Sequence, residues 1–390
     1  MVEFNVDELT LTLKPTSAYK ADYIKNFGVL DWVDIAEKII AVFSYKADLI
    51  GIYGEVFPEV KPPQGYTVAY TYGQHSFYFA VAYHTYHMNM NICVKFSAKA
   101  WNFFRQATGI EAYSFLQKVQ DPCYTTRLSR IDLVADLIDE DINVTTIYQC
   151  LMDNTVGIFR EKINEDGDSI YIKCPLKYRG VLIHNEVPTL YIGSEKSNSR
   201  LRVYDKKREQ IEKRGTHFAK YQKVKNAVRF EGVFRNEYSH QLTDELLKIK
   251  SDDEFANLIA CTLAQKYRFM YIDTKTGKAD YNTEYTELIL DCITNNNFAL
   301  MSPSARNYEL AKSILYIFQG SGAMNTLYRI KEIWDIDAAE KLLDYILESI
   351  EEWQPNDDCR YWLIKNLKDY QNNYPKFDDF MKENLGSAMK

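Results

Sequence analysis

The chain has 390 residues, 46% of them hydrophobic and 26% charged, enough for two domains or one large domain with an appendage. Its net charge of −7 rules out a uniformly basic protein, yet residues 195–235 hold 13 Lys/Arg against 5 Asp/Glu, a local +8 that leaves −15 for the rest. Seven scattered cysteines without a CxxC pair argue for reduced thiols rather than disulfides or a zinc site.

No signal-peptide core opens the chain and no run approaches 18 apolar residues, so a soluble cytoplasmic protein is expected. Leu9, Leu11 and Leu13 alternate with polar residues, as one face of a strand does. Residues 67–72 and 76–83 flank Gly73 and Gln74 and read as a hairpin. A strand over 90–96 follows, after which Ser97 caps a helix through Phe104. Residues 127–138 read as a strand and 143–152 as a helix. The segments 170–178, 189–192, 200–206 and 227–235 complete a strand-rich set whose linkers are too short for crossover helices, so the sheet is antiparallel. From about Gln241 the pattern turns helical, most clearly where Ala339, Leu342, Leu343, Ile346, Leu347, Ile350 and Trp353 keep the 3.6-residue period. The fold class is therefore α+β: a largely antiparallel domain over 1–240 and a helical C-terminal domain over 241–390. Nine acidic residues against Lys341 alone between 335 and 358 keep DNA off those helices; a solvated surface is preferred there to a protein-docking face.

Alternate residues of a strand share a face. In SRIDLVADLI, Ile131, Leu133, Ala135 and Leu137 form an apolar side, and Arg130, Asp132 and Asp136 project from the other. SRLRVYDK likewise sets Arg200, Arg202, Tyr204 and Lys206 opposite Leu201 and Val203. VRFEGVFR sets Arg229, Glu231 and Arg235 opposite Val228, Phe230 and Phe234. If the three strands are neighbours, one face collects three carboxylates, a tyrosine and several cations. Each strand alone reads as a wet face with ion pairs across the sheet. Together the carboxylates need a neutralising cation, which a hard divalent ion or the arginines could supply.

The segments SRIDLVADLID, TLYIGSEKSNSRLRVYDKKRE and VRFEGVFR resemble, in order and spacing, the replication initiation factor family over 125–240. That family holds rolling-circle plasmid initiators, relaxases of some integrative conjugative elements, and related phage replication proteins. The resemblance implies Tyr204 as the nicking nucleophile and Asp132, Asp136 and Glu231 as the binding set for Mg²⁺ or Mn²⁺. It implies origin DNA as the ligand, a homodimer, and a host helicase as a further partner. VKFSAKAWNFF departs from the family in lacking a glycine beside its serine.

Nicking by tyrosine is a transesterification that leaves a 5′-phosphotyrosine and a free 3′-hydroxyl, so the ends can be rejoined. Arg200, Arg202 and Lys206 are expected to favour the phenolate, and Arg130, Arg229 and Arg235 to join them in holding DNA. No two histidines flank a single hydrophobic residue, and no GxxxxGK[ST] loop or GxSxG elbow occurs. His84 and His87, three apart in an expected strand, should lie on opposite faces. Two other readings compete: an origin-binding protein without chemistry, and a metal-dependent nuclease that activates water.

Overall fold

The computed structural model describes all residues except 60, 74–78, 164–168, 216, 295–309, 320, 356 and 386–390. Its strands are β1 (Val2–Pro15), β2 (Val56–Pro58), β3 (Val68–Tyr72), β4 (Phe79–Tyr83), β5 (Ile92–Phe96), β6 (Tyr124–Ile138) and β7 (Val156–Ile163). They continue with β8 (Ser169–Lys173), β9 (Tyr178–Ile183), β10 (Glu186–Ile192), β11 (Ser199–Asp205), β12 (Ala227–Arg235), β13 (Arg268–Ile272) and β14 (Ala279–Asn282). Ten form one antiparallel sheet in the order β2-β3-β4-β5-β1-β6-β12-β11-β10-β9, and four form a second in the order β14-β13-β7-β8. The expected α+β class, a large antiparallel sheet followed by helices, is what the chain adopts.

Alternation explains the large sheet. Leu9, Leu11, Leu13, Ile131, Leu133, Ala135, Leu201, Val203 and Phe230 are all buried, and they make one continuous apolar side. The helix Asp252–Lys266 packs over it, and Gly232 on β12 makes the fit possible. A Cβ at Gly232 would stand 2.7 Å from both Leu263 and Phe234. The helix Trp32–Ala47 contributes Ile35, Ile39 and Phe43 to the same core, a segment the sequence pattern did not single out.

The chain forms two compact units, Met1–Met301 and Ser302–Lys390. Within the first unit, β7 hydrogen-bonds to β13, and Phe230 packs on Phe269 and Tyr285, so residues on both sides of 240 share sheets and core. The second unit, Ser302–Lys390, holds the helices Leu310–Gln319, Ala323–Ile333, Ile336–Glu352, Asp357–Asn373 and Phe377–Leu385. No helix among the described residues is long and apolar enough to cross a membrane.

Local expectations fare unevenly. Ser97 caps the helix Ala98–Thr108 by accepting from the Ala100 amide, and Asn143 caps Val144–Met152. β3 and β4 pair, while the turn expected at Gly73-Gln74 runs into residues outside those described. The expectation for 84–87 is corrected: β4 ends at Tyr83, the chain turns, and the His84 and His87 rings lie 4.2 Å apart. The turn is closed by His84 Nδ1, which accepts from the Tyr86 and His87 amides.

Candidate active site

The sheet register assembles the polar face expected from alternation. β6, β12 and β11 are consecutive, with Asp136 opposite Arg229 and Arg229 opposite Tyr204. Two residues along, Val134 faces Glu231, Glu231 faces Arg202, and Arg202 faces Tyr191 of β10. One row further, Asp132, Val233 and Arg200 line up. β1 adds two acids through an irregularity: its register against β6 slips between Val6 and Leu9, bringing in Asp7 and Glu8.

Each carboxylate on this face holds a guanidinium. Arg229 donates to both Asp136 oxygens at 2.6 and 2.7 Å and to Asp7 at 2.6 Å. Arg130 donates to both Asp132 oxygens at 2.9 and 2.6 Å and to Glu8 at 2.6 Å. Arg202 donates to Glu231 at 2.6 Å. Burial alone would raise Asp136; Arg229 and the Tyr221 hydroxyl outweigh it and hold that carboxyl below the usual carboxylate range. Burial pushes Asp132 up, with Glu231 and Glu8 adding to it and Arg130 opposing. Glu231 is also raised by burial, against Arg202.

Tyr204 is 4% exposed, and its hydroxyl donates to Glu231 Oε2 at 3.1 Å. Arg202 Nη2 and Lys206 Nζ approach the Tyr204 hydroxyl oxygen at 3.4 and 3.5 Å. Burial, then Glu231, nonetheless holds the phenol well above its ordinary value, while Arg229 and Arg202 pull the other way. Arg202 thus favours the phenolate as expected, but burial and Glu231 outweigh it. Tyr204 forms part of a cleft of about 530 Å³ that also includes residues of the helix Ala98–Thr108 and of the segment 213–217. Asn102 and His217, one from each, are linked at 3.1 Å.

The replication initiation factor model matches residues 126–346, more than half of the chain. This chain belongs to the replication initiation factor family. A solved rolling circle replication initiator protein from Geobacillus stearothermophilus is similar in fold, with a TM-score of 0.50 and 17% identity. The likeness covers 77% of this chain and 100% of that one. A search of curated proteins finds no match. Rolling-circle initiators in general bind DNA at origins, nick it and use a divalent metal.

In this family member the acids expected to hold Mg²⁺ or Mn²⁺ do not fit an ion as arranged. Asp132 and Asp136 are four residues apart on one strand, about 13 Å at roughly 3.3 Å per residue. No ion with ligands at about 2.0–2.6 Å spans that. Among the described residues no group of three or more His, Cys, Asp or Glu is placed to hold a metal.

The expected DNA-binding cations also divide. Arg130 and Arg229 are ion-paired and Arg229 is buried. Lys206 is buried against Glu209, whose carboxyl is drawn down to about 2: burial would raise it, but Lys206 and Lys213 prevail. Arg200 stacks on Tyr191 with 4.1 Å to the ring centroid and reaches exposed Glu195, and Arg235 donates to the Glu195 carbonyl. Ser194 shapes the turn after β10, where Gly193 has φ +91°. Asp7, Glu8, Lys99 and Arg214 escaped the sequence reading. The first two lie where strand alternation breaks, and the last two come from elements with no visible tie to the motif strands.

Proposed function

We propose that this chain nicks one DNA strand at an origin of replication or transfer, with Tyr204 as nucleophile. The observation that carries this reading is the Tyr204 hydroxyl in a basic cleft, bonded to buried Glu231 with two cations within 3.5 Å. The phenolic oxygen attacks the scissile phosphorus in line, and the bond from phosphorus to the 3′-oxygen breaks. Its proton passes to Glu231 Oε2, the acceptor it already faces, whose burial makes it a stronger base. The departing 3′-oxygen leaves as a hydroxyl after taking a proton from water, and a 5′-phosphotyrosine remains. Arg202 and Lys206 stand where charge grows on the phosphoryl oxygens.

Of the nearby tyrosines, Tyr221 donates to Asp136 at 2.9 Å and Tyr238 accepts from Lys266, so Tyr191 is the strongest rival. The test is incubation with a supercoiled plasmid carrying the gene and its flanking DNA, with Mg²⁺, Mn²⁺ or EDTA. The expected product is relaxed plasmid with protein on its 5′ end, absent with Tyr204→Phe. Binding without relaxation would favour a non-catalytic origin-binding protein. Nicking without a bound 5′ end would favour water activation, and an adduct mapped to Tyr191 would move the nucleophile.

A further inference from the structure

Most of the positive charge in the Tyr204 cleft is neutralised from within. Arg202 pairs with Glu231, Arg229 with Asp136 and Asp7, Lys206 and Lys213 with Glu209, and Arg105 with Glu111. A cation already paired with a carboxylate offers an incoming phosphate less than an unpaired one does. Two cleft residues differ: Lys99 and Arg214 have no ion pair among the described residues, and both are exposed. Lys99 sits in the first turn of the helix Ala98–Thr108, and Arg214 sits just past the helix Lys206–Glu212, on backbone with φ +47°. They therefore reach the cleft from separate parts of the chain, while Tyr204 joins it from β11.

We propose that Lys99 and Arg214 grip backbone phosphates of the DNA strand whose scissile phosphate is presented to Tyr204. This rests on the nicking reading and adds a ligand subsite outside the motif strands. The geometry suits a single strand. A buried hydroxyl in a cleft of about 530 Å³ is reached by one or two nucleotides, the size range of small-ligand clefts of about 300–1,000 Å³. Both cations are free to exchange water and counterions for phosphate without breaking a pair, which is how phosphate contacts raise affinity.

The test is binding of fluorescein-labelled oligothymidylate, by anisotropy, across a salt series. Each phosphate contact contributes about 0.7 log units of affinity per log unit of salt on single strands, so the double variant Lys99→Gln/Arg214→Gln should flatten the slope by about 1.4. Its melting temperature should match that of the unaltered protein, since neither residue has a pairing to lose. Lys25→Gln, at an exposed site in the helix Ser17–Phe27, should leave the slope as it is. An unchanged slope in the double variant would overturn the proposal, as would equal flattening by Lys25→Gln, which would mean diffuse surface binding. Oligothymidylate binding needs no chemistry, so this result reads the subsite even if adduct mapping places the nucleophile at a residue other than Tyr204.

Discussion

Asp136 is the sharpest test of whether the acids of the polar face act on structure or on an ion. Asp136→Ala strips buried Arg229 of two hydrogen bonds, at 2.6 and 2.7 Å, and leaves it only Asp7. It also takes the acceptor from the Tyr221 hydroxyl. Breaking a buried ion pair from one side costs about 3–5 kcal/mol, because the surviving charge stays out of water. At roughly 2–4 °C per kcal/mol for a large domain, melting should fall by about 6–20 °C. Calorimetry without DNA or metal measures this directly. Replacing both partners, Asp136→Leu with Arg229→Met, should recover most of the loss, since apolar pairs of similar volume often match a buried ion pair. Should Asp136→Ala melt like the unaltered protein while losing nicking, Asp136 serves chemistry, and the structural argument fails.

Arg130→Gln should lower the melting temperature without altering the salt slope of DNA binding, since Arg130 is tied to Asp132 and Glu8; a flatter slope would show that it touches DNA. Glu209 has a folded pKa of about 2, below its unfolded value, so its contribution is present above about pH 4.3 and is lost as pH falls through the folded value. The stability gap between the unaltered protein and Glu209→Gln should therefore narrow from pH 6 to pH 3 in denaturant titrations; a constant gap would contradict the pairing with Lys206 and Lys213. Gly232→Ala should cost about 1–3 kcal/mol by forcing Leu263 or Phe234 aside, measured as a lower urea midpoint.

Much of the site was legible because alternation in a strand is a strong local signal. It put Asp132, Asp136, Tyr204, Arg202, Arg229 and Glu231 on one side, and the register brings β6, β12 and β11 together. How the charges divide was partly readable too. Arg130 and Asp132, two apart in a strand, share a face and pair, so the RxD string neutralises itself. Asp7 and Glu8 were hidden because a bulge obeys no period. The cleft was hidden because Lys99, on a helix, and Arg214, in a turn, come from distant parts of the chain, and periodicity says nothing about which segment lies beside which strand. Composition changes near 240, but strand pairing, which composition does not report, carries across that point from β7 to β13.

The bulge in β1 ties Asp7 to Arg229, 222 residues away, and this bears on the order of events during synthesis. A chain growing at about 5–20 residues per second leaves Asp7 and Asp136 without their arginine for many seconds. During that interval Asp132 and Glu8 already have Arg130, whereas Asp7 and Asp136 still wait for Arg229. Contacts of such long separation also form late in folding. The polar face is therefore complete only once β12 has joined β6, and Arg229, held by acids from β1 and β6, acts as the latch that closes it.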